Sequence, residues 1–434
     1  MEASGGGSKR RASGSGGGGG SGASMQSLGA DLLCAVFALL DHFALVRCSA
    51  VCRSWNRIIY TSALMRDLYY KRNPRVKDPN MLVPSEMPIK KYLEELAMNE
   101  HRSAFLNGSA EVHQWSGHPE RANLCRMKRG EILTGVGDKV LRLWSAGSCQ
   151  YLDEYRCPDA NPLIDFDFDE NKIVGLSSSR LCIWRRDERK GLFQSREGIF
   201  PRGLCMSYID PEVVIGCEDG RACVFDMYSR SCSRIIRLQN GPVTCLTITD
   251  EQLIVGGSTF GTIAVADLTS GERLAFLKSS FAPTGMKTLS FNMNSFLLFA
   301  GSTSGYAHCW DLRTLRPLWE MRVSPNVIYS THHLNNDTSM LAVGGLDGVL
   351  RILNQNTGET LKSFVIDPGN TVPISSKVKH QAIEKRRVRS LSEDIRVDSI
   401  PRHLRPPITC LSVGMKKIVT THNENFIRLW RFRG

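Results

Sequence analysis

The sequence predicts an α+β multidomain chain: a small module of three helices, a helical connector and a large all-β repeat region. Three observations support this division. Residues 1–24 are rich in glycine and serine, residues 25–70 carry apolar residues at helical spacing, and short alternating runs recur after residue 107. The 434 residues are too many for one ordinary core, so several domains or one large repeat architecture are expected.

The N-terminal arm, residues 1–24, is predicted to be disordered because its composition cannot offset the entropy lost on ordering. It contains Arg10-Arg11-Ala12-Ser13, a spacing that basophilic kinases prefer, which makes Ser13 a candidate phosphorylation site. An inert solvated tail is the competing interpretation. The N-terminus lacks the apolar core of a secretory signal peptide, so we expect the protein in the nucleus, the cytoplasm or both.

Residues 25–70 are predicted to form three short amphipathic helices. Asp31 favours the start of the first helix through the helix dipole. A module this small rarely buries enough surface to be stable alone, so it should pack on something else. The apolar positions are Leu32, Leu33, Val36, Phe37 and Leu40 in the first helix, Leu45, Cys48, Val51, Cys52, Trp55, Ile58 and Ile59 in the second, and Leu64, Met65 and Leu68 in the third.

The connector, residues 71–106, begins as a loop rich in lysine, proline and asparagine. Pro88 then precedes a predicted helix, because proline is favoured in the first helical turn. The apolar residues Ile89, Leu93 and Leu96 fall on one face of that helix. A packed connector is therefore expected, not a flexible tether.

The region from residue 107 to 434 is predicted to consist of seven repeats, each ending in a strand with an aromatic or apolar residue. The spacings between successive endings are 40, 41, 41, 44, 43 and 77 residues. The last interval therefore contains an insertion. The residues counted are Trp144, Trp184, Phe225, Ala266, Trp310, Leu353 and Trp430, so the repeats end near residues 144, 184, 226, 267, 311, 354 and 430.

One strand of the last repeat is missing after Trp430, because only Arg431 to Gly434 follow it. The run from Ala110 to Trp115 has the alternation of a strand and precedes the first repeat. We expect this run to supply the missing outer strand, which would join the two ends of the repeat array and remove an open sheet edge.

The insertion, residues 366–406, is basic and contains four prolines with little periodicity, so a mobile loop is predicted. Its basic run, Arg386-Arg387-Val388-Arg389, precedes two further candidate phosphorylation sites, Ser390 and Ser392. A regulatory segment and a plain solvated loop both remain open.

Catalytic, metal and membrane functions lack sequence signatures. No HExxH, Walker, Gly-x-Ser-x-Gly or Cys-x-x-Cys motif occurs, so no catalytic residue, metal site or cofactor is predicted. The 14 cysteines lie mostly among apolar residues and are read as buried thiols. The longest apolar stretch is far short of the ~20 residues that span a membrane. The net charge of +12 permits an acidic partner, but binding to nucleic acid is not expected.

The helical module resembles an F-box. The resemblance rests on a leucine-rich first helix followed by Val-Cys-x-x-Trp, with Gly29 where the family usually has proline and Asp31 as its acidic residue. This departure bears on adaptor affinity. The resemblance implies that an apolar face binds a Skp-family adaptor through Leu28, Leu32, Leu33, Val36, Phe37, Leu40, Val51, Cys52 and Trp55.

The repeats resemble WD repeats, which implies a seven-bladed β-propeller over residues 107–434. In the first repeat, His118, Thr134, Asp138 and Trp144 match the family's structural hydrogen-bond tetrad. Some F-box/WD-repeat proteins read phosphorylated segments with arginines just before the turn acid, but no arginine stands at those positions here. Lys287 is the one basic residue assigned to that rim, as a candidate for target binding.

The whole arrangement resembles the F-box/WD-repeat family, closest to its plant members. The resemblance implies a non-catalytic, substrate-recognition subunit of a Skp–cullin–F-box (SCF) ubiquitin ligase, with a target protein on the propeller. The alternative is a WD-repeat scaffold without a ligase role, in a nuclear protein or ribonucleoprotein complex, that uses the basic insertion on acidic partners. The two hypotheses differ in whether F-box substitutions affect association.

Overall fold

The computed structural model describes residues 29–62, 64, 67–68, 89–135, 139–158, 161–187, 191–279, 284–367, 372–374, 383–391 and 397–434. The predicted N-terminal arm, residues 71–88 of the connector, and Ser13, Leu28, Met65, Asp138 and Ser392 lie outside the described residues. The chain divides into two compact units, one ending at Ala97 and the other beginning at Met98.

The first unit contains α1 (Ala30–Phe37), α2 (His42–Ser49), α3 (Arg53–Thr61) and the beginning of α4 (Ile89–Asn107). Its core consists of Leu33, Phe37, Leu45 and Ile59, all nearly inaccessible to solvent. Phe37 packs edge-to-face on Trp55, with 5.3 Å between the ring centroids. Partly buried apolar side chains pack around these four: Leu40, Val46, Cys48, Trp55, Ile58, Leu64, Leu68 and Leu93.

The predicted second helix is wrong in one respect: it is two helices, α2 and α3, separated at Cys52. Cys52 has an extended backbone with a φ of −157°, and its sulfur accepts a hydrogen bond from the backbone N–H of Trp55 at 3.5 Å. Asp41 caps α2 in the same manner, because its carboxylate accepts from the N–H of Ala44 at 2.8 Å. Capping at Cys52 therefore interrupts an apolar period that continues across the break.

The second half of α4 packs on the propeller within the second unit. The ring of Phe105 stacks on Phe432 with 4.1 Å between centroids. Arg102 forms an ion pair with the buried Asp337 at 2.9 Å. His101 Nδ1 accepts a hydrogen bond from the backbone N–H of Lys416 at 2.9 Å. The described part of the predicted connector is thus an ordered helix anchored by stacking, an ion pair and a hydrogen bond.

The described residues of the second unit form seven antiparallel blades of four strands each, and two further strands join the last two blades into one ten-stranded sheet. Blade 1 contains β2 (Leu124–Lys128), β3 (Glu131–Gly135), β4 (Val140–Ser145) and β5 (Tyr151–Arg156); blade 2 contains β6 (Asp165–Phe168), β7 (Lys172–Ser177), β8 (Arg180–Arg185) and β9 (Leu192–Gln194). Blade 3 contains β10 (Gly203–Ile209), β11 (Glu212–Cys217), β12 (Arg221–Asp226) and β13 (Ser231–Arg237); blade 4 contains β14 (Val243–Ile248), β15 (Leu253–Ser258), β16 (Thr262–Asp267) and β17 (Arg273–Lys278); blade 5 contains β18 (Met286–Asn292), β19 (Leu297–Ser302), β20 (Tyr306–Asp311) and β21 (Arg316–Arg322). Blade 6 contains β22 (Ile328–His332), β23 (Met340–Gly345), β24 (Leu350–Asn354) and β25 (Thr360–Ile366), and blade 7 contains β28 (Ile408–Gly414), β29 (Lys417–His422), β30 (Phe426–Arg433) and, as its outer strand, β1 (Ser109–Ser116).

The ring closes because the first strands of successive blades pack side by side from β2 round to β28, and β28 packs on β2. Apolar clusters lie between neighbouring blades; one joins Val214 and Val224 of blade 3 to Ile254 and Ala264 of blade 4. The predicted closing strand is confirmed: β1 pairs with β30 over its whole length, from Ser109 opposite Arg433 to Ser116 opposite Phe426. The two ends of the propeller are therefore held by one sheet.

The prediction of a mobile loop at residues 366–406 is wrong for the described part of that segment. Strand β27 (Ile383–Ser390) pairs with the outer strand of blade 7, β1, and with that of blade 6, β25, and β26 (Val372–Ile374) pairs with β27. Two 3-10 turns follow, Val397–Ser399 and Arg402–Leu404. The unpaired backbone groups of two outer strands offer hydrogen bonds that a charge-rich segment can satisfy while its side chains stay hydrated.

Candidate interaction surfaces

Exposed apolar side chains lie on α1, just after its end and in the turn after α2. The side chains of Leu32, Val36, Leu39 and Val51 are 60%, 39%, 86% and 64% exposed. All four residues are large and apolar, and they lie within 20 residues of one another. Exposed apolar residues grouped in this way are typical of a surface that binds a partner. We call these four residues the α1 surface.

The structure divides the predicted adaptor-binding residues into two sets. Leu33 and Phe37 are wrong as surface contacts, because only 3% and 1% of their side chains are accessible and they form the core of the module. In a helix, residues 33 and 37 lie on one stripe and residues 32 and 36 on the next, about 100° away. The spacing alone therefore could not say which stripe faces inward. Leu40, Cys52 and Trp55 are partly buried, and Leu39 was missed.

Gly29 stands where the family usually has proline, and its backbone already has the shape that proline imposes. It precedes α1 with a φ of −61° and a ψ of 155°. Proline fixes φ near this value, so the departure from the family pattern changes the freedom of the unfolded chain more than the geometry of the folded one.

The structure brings together three of the four residues of the predicted tetrad, and Asp138 lies outside the described residues. Thr134 Oγ1 accepts from the indole Nε1 of Trp144 at 2.8 Å and lies 2.9 Å from His118 Nε2. Arg142, which can only donate, lies 2.6 Å from His118 Nδ1. That nitrogen is therefore the acceptor, and Nε2 donates to Thr134. These groups are buried and satisfy one another, which is a structural role.

A second polar cluster of this kind, in blade 7, was missed. Trp430 Nε1 donates to Thr420 Oγ1 at 3.0 Å, and His422 Nε2 lies 3.1 Å from the same oxygen. Because His422 Nδ1 contacts the carbonyl of Pro407 at 3.0 Å, it must donate there, so Nε2 accepts from Thr420. Burial lowers the pKa of His422 well below its ordinary value, which agrees with a neutral ring. The signal was present, since a threonine precedes the tryptophan by ten residues in both blades.

Turn acids on the propeller are paired within the chain. Asp347 forms a buried ion pair with Arg351 at 2.6 Å and accepts from the hydroxyl of Ser324 at 3.1 Å. Asp219 is paired with Arg221. Lys287 is exposed at the beginning of β18, so it is accessible to a target, and its role stays a prediction.

Four findings concern metal binding, membrane insertion, thiol reactivity and phosphorylation. No group of three or more histidine, cysteine, aspartate or glutamate side chains within the described segments is arranged to hold a metal ion. Among the same residues, no helix is long and apolar enough to cross a membrane. Burial raises the pKa of the Cys245 and Cys309 thiols to about 12, so these cysteines are protonated and unreactive at neutral pH. Ser390 is exposed at the end of β27 and stays a predicted phosphorylation site.

A small helical module with exposed apolar side chains, followed by a seven-bladed propeller, defines a modular class of protein. A family model described as F-box-like matches residues 26–71. An F-box/WD-40 repeat-containing protein of Arabidopsis thaliana is 46% identical over 94% of this chain and 95% of its own length. The chain therefore belongs to the F-box/WD-40 repeat-containing proteins.

More distant relatives match parts of the chain. WD repeat-containing protein 18 of Bos taurus is 21% identical over 57% of this chain and 64% of its own length. WD repeat-containing protein RUP1 of Arabidopsis thaliana is 24% identical over 44% of this chain and 54% of its own length.

Proposed function

We propose that this protein is the substrate-recognition subunit of an SCF ubiquitin ligase, acting in the nucleus, the cytoplasm or both. The α1 surface binds a Skp-family adaptor and through it a cullin, while the propeller binds the target protein. The observation that carries the proposal is the exposure of Leu32, Val36, Leu39 and Val51 on a module that matches the F-box-like family.

Burying these exposed side chains against a partner would contribute favourable free energy to binding. Burying one large apolar side chain contributes about 1.5–3 kcal/mol, and a few such anchors dominate the affinity of a typical interface. Leu39, at 86% exposed, contributes almost nothing to the stability of its own module. Its apolar character is therefore better explained by a partner than by folding.

The chain's contribution to ubiquitin transfer is proximity. A target held on the propeller meets the ubiquitin-charged enzyme at a raised effective concentration, so transfer to its lysines becomes intramolecular in effect. No step of the chemistry requires a reactive group on this chain. The recognition surface requires only shape, hydrogen bonds and charge.

Co-expression of the full-length chain with a Skp-family adaptor tests the proposal. The double variant Leu32→Glu with Leu39→Glu places two charges on the α1 surface and leaves the core residues Leu33 and Phe37 in place. We expect adaptor co-purification to fall by more than about tenfold, because two buried apolar contacts become buried charges. The matched control is Leu152→Glu with Leu318→Glu, two propeller leucines that are 48% and 52% exposed.

The alternative, a scaffold without a ligase role, is favoured by one observation. Arg387 and Arg389 are exposed on β27, where they can attract an acidic partner. That function predicts association that weakens steeply with salt and ignores the Leu32 and Leu39 substitutions. If the double variant retains the adaptor at the level of the wild type, or no adaptor binds at all, the ligase proposal is wrong.

A further inference from the structure

Strand β27 shows that the outer edges of this propeller accept an additional strand. It pairs with β25 through Phe364 opposite Ser390, Val365 opposite Arg389 and Ile366 opposite Val388. The three β25 residues are almost fully buried, at 4%, 1% and 2% exposed; Phe364 and Ile366 pack in a cluster with Phe105 and Phe432, and Val365 packs with Ile400. An outer strand that is covered in this propeller therefore hides apolar side chains on both of its faces.

The outer strand of blade 4, β17, has a similar apolar character without a cover. It is the last strand of its sheet in the described part of the chain, and its alternate residues Leu274 and Phe276 are 53% and 44% exposed. An edge strand that presents both unpaired backbone groups and exposed apolar side chains is a template for pairing with another strand.

Other outer strands carry features that discourage such pairing. In blade 5, β21 contains Pro317, which has no N–H to donate, and the partly buried Glu320. In blade 3, β13 shows one exposed apolar residue, Ile235, among serines and arginines. In blade 2, β9 is only three residues long. These are ordinary ways to protect an edge. In β17 the charged residues Arg273 and Lys278 stand only at the two ends, and the four residues between them are apolar.

The charge around β17 is positive. Arg273 begins the strand, Lys278 ends it, and no acidic residue lies between them, although Glu272 precedes the strand. The Arg273 guanidinium lies 4.3 Å from the centre of the Phe276 ring, so cation and ring are presented together. Arg237 and Arg322 end the outer strands of the neighbouring blades at the equivalent register and are exposed.

We propose that β17 is a docking edge for an extended segment of a partner protein, which adds to blade 4 as a fifth, antiparallel strand. The register sets the chemistry of the segment: an acidic residue opposite Lys278, then apolar residues at alternate positions opposite Phe276 and Leu274. The antiparallel direction follows β27, which pairs antiparallel with both outer strands that it covers. The site does not depend on the proposed ligase function, because β17 and the α1 surface belong to different units of the chain.

Fluorescence anisotropy with the full-length chain tests the proposal. The probe is a fluorescein-labelled synthetic peptide in which a glutamate is followed, at alternate positions, by two isoleucines, with threonines between them. We expect saturable binding and slower hydrogen exchange in β17 but not in β13 or β21. Phe276→Glu is expected to weaken binding by about tenfold or more, since it places a charge against an apolar contact of the added strand.

A charge-reversal cycle makes the test specific for the register. Lys278→Glu should weaken binding of the glutamate peptide. It should strengthen binding of a matched peptide in which lysine replaces the glutamate. Arg322→Glu, the equivalent residue of blade 5, is the control and should leave both peptides within about twofold of the wild type. The substituted side chains are exposed, so the variants are expected to fold. Thermal unfolding at the temperature of the wild type is the control for folding.

Three outcomes would overturn the proposal. They are absence of peptide binding, binding that Phe276→Glu leaves unchanged, and exchange protection at another blade. Binding of the wild type to vesicles of anionic lipid, lost in Lys278→Glu while the peptides fail to bind, would also overturn it and assign the surface to a membrane.

Discussion

Trp430 donates its indole hydrogen to the hydroxyl of Thr420 in blade 7, at 3.0 Å, and Trp144 makes the same bond to Thr134 in blade 1, at 2.8 Å. Blades 7 and 1 are the two blades where the ring closes. In each of them, the threonine oxygen also contacts a histidine, so it connects three buried polar groups. The two clusters therefore stabilise the closure of the propeller from both sides.

Replacing Thr420 by valine is expected to destabilise the propeller. The indole of Trp430 and the ring of His422 would each lose a buried hydrogen-bond partner, which costs about 1–3 kcal/mol for each group left unsatisfied. Denaturant unfolding measures the effect. The control is Thr269→Val, since that hydroxyl bonds Gln252 on the surface, and we expect a change below about 0.5 kcal/mol. Equal effects of the two substitutions would contradict a buried network.

Substitutions in α1 and just after its end are expected to separate core residues from surface residues. Phe37→Ala removes a large part of a small core and should cost about 3–5 kcal/mol, enough to unfold the helical module. Leu39→Ala, at 86% exposed, should change its stability by less than about 0.5 kcal/mol. Hydrogen exchange of residues 29–61 in the full-length chain measures both. The structure would be contradicted if Leu39→Ala were the more damaging substitution.

Acid is expected to destabilise the propeller below the ordinary pKa of histidine. Burial lowers the pKa of His101 and His333 to about 4 and that of His332 to about 3, and it holds the pKa of His422 well below its usual value. A lowered folded pKa means that the unfolded chain binds more protons. The stability from these histidines is therefore complete above pH ~6.5 and is lost as the pH falls towards ~4.

Proton uptake on unfolding measures this effect directly. Near pH 5.5 the four histidines are neutral in the folded protein and mostly protonated in the unfolded one, so these rings alone should take up about three to four protons on unfolding. Burial also lowers the pKa values of His113 and His308, which add to this number. Calorimetry in buffers of different ionisation enthalpy gives the number. Uptake of less than about one proton would show that these rings are already charged in the folded protein.

The amides of β27 are expected to exchange slowly. Ladder hydrogen bonds to β25 and β1 should slow exchange at residues 384–389 by about a hundredfold or more relative to the exposed turn at residues 335–336. Exchange mass spectrometry of the full-length chain reports both segments in one experiment. Equal, fast exchange would restore the interpretation of this segment as a mobile loop.

The architecture could be predicted from the sequence because the strand endings of successive repeats recur at a nearly constant spacing. A period of about 42 residues and the alternation of Ala110–Trp115 were enough for the seven blades and the strand that closes them. Strand β27 could not be predicted in the same way. Its residues are mostly charged, and it is held by backbone hydrogen bonds to two strands that are distant in sequence, so no local pattern reports it.

The adaptor surface was predicted at the level of the helix but not of the side chain. Leu32 and Leu33 are adjacent leucines, and only packing against Leu45 and Ile59 decides that Leu33 faces inward. Leu39 follows Val36 by three residues and lies just after α1, but the predicted pattern ran on from Phe37 to Leu40 and left it out. The exposed edge of β17 could not be predicted for a related reason. Apolar residues in a strand are expected to be buried unless the positions of the neighbouring strands are known.

The central claim is that this chain links an adaptor to a target, and comparative affinity purification with the proteasome inhibited tests it most directly. The wild type is compared with Leu32→Glu, Leu39→Glu. The account predicts that adaptor and cullin disappear from the variant, while a set of propeller-bound proteins remains and becomes more abundant. Retention of adaptor and cullin by the variant, or the same abundance of bound proteins with both forms, would contradict it.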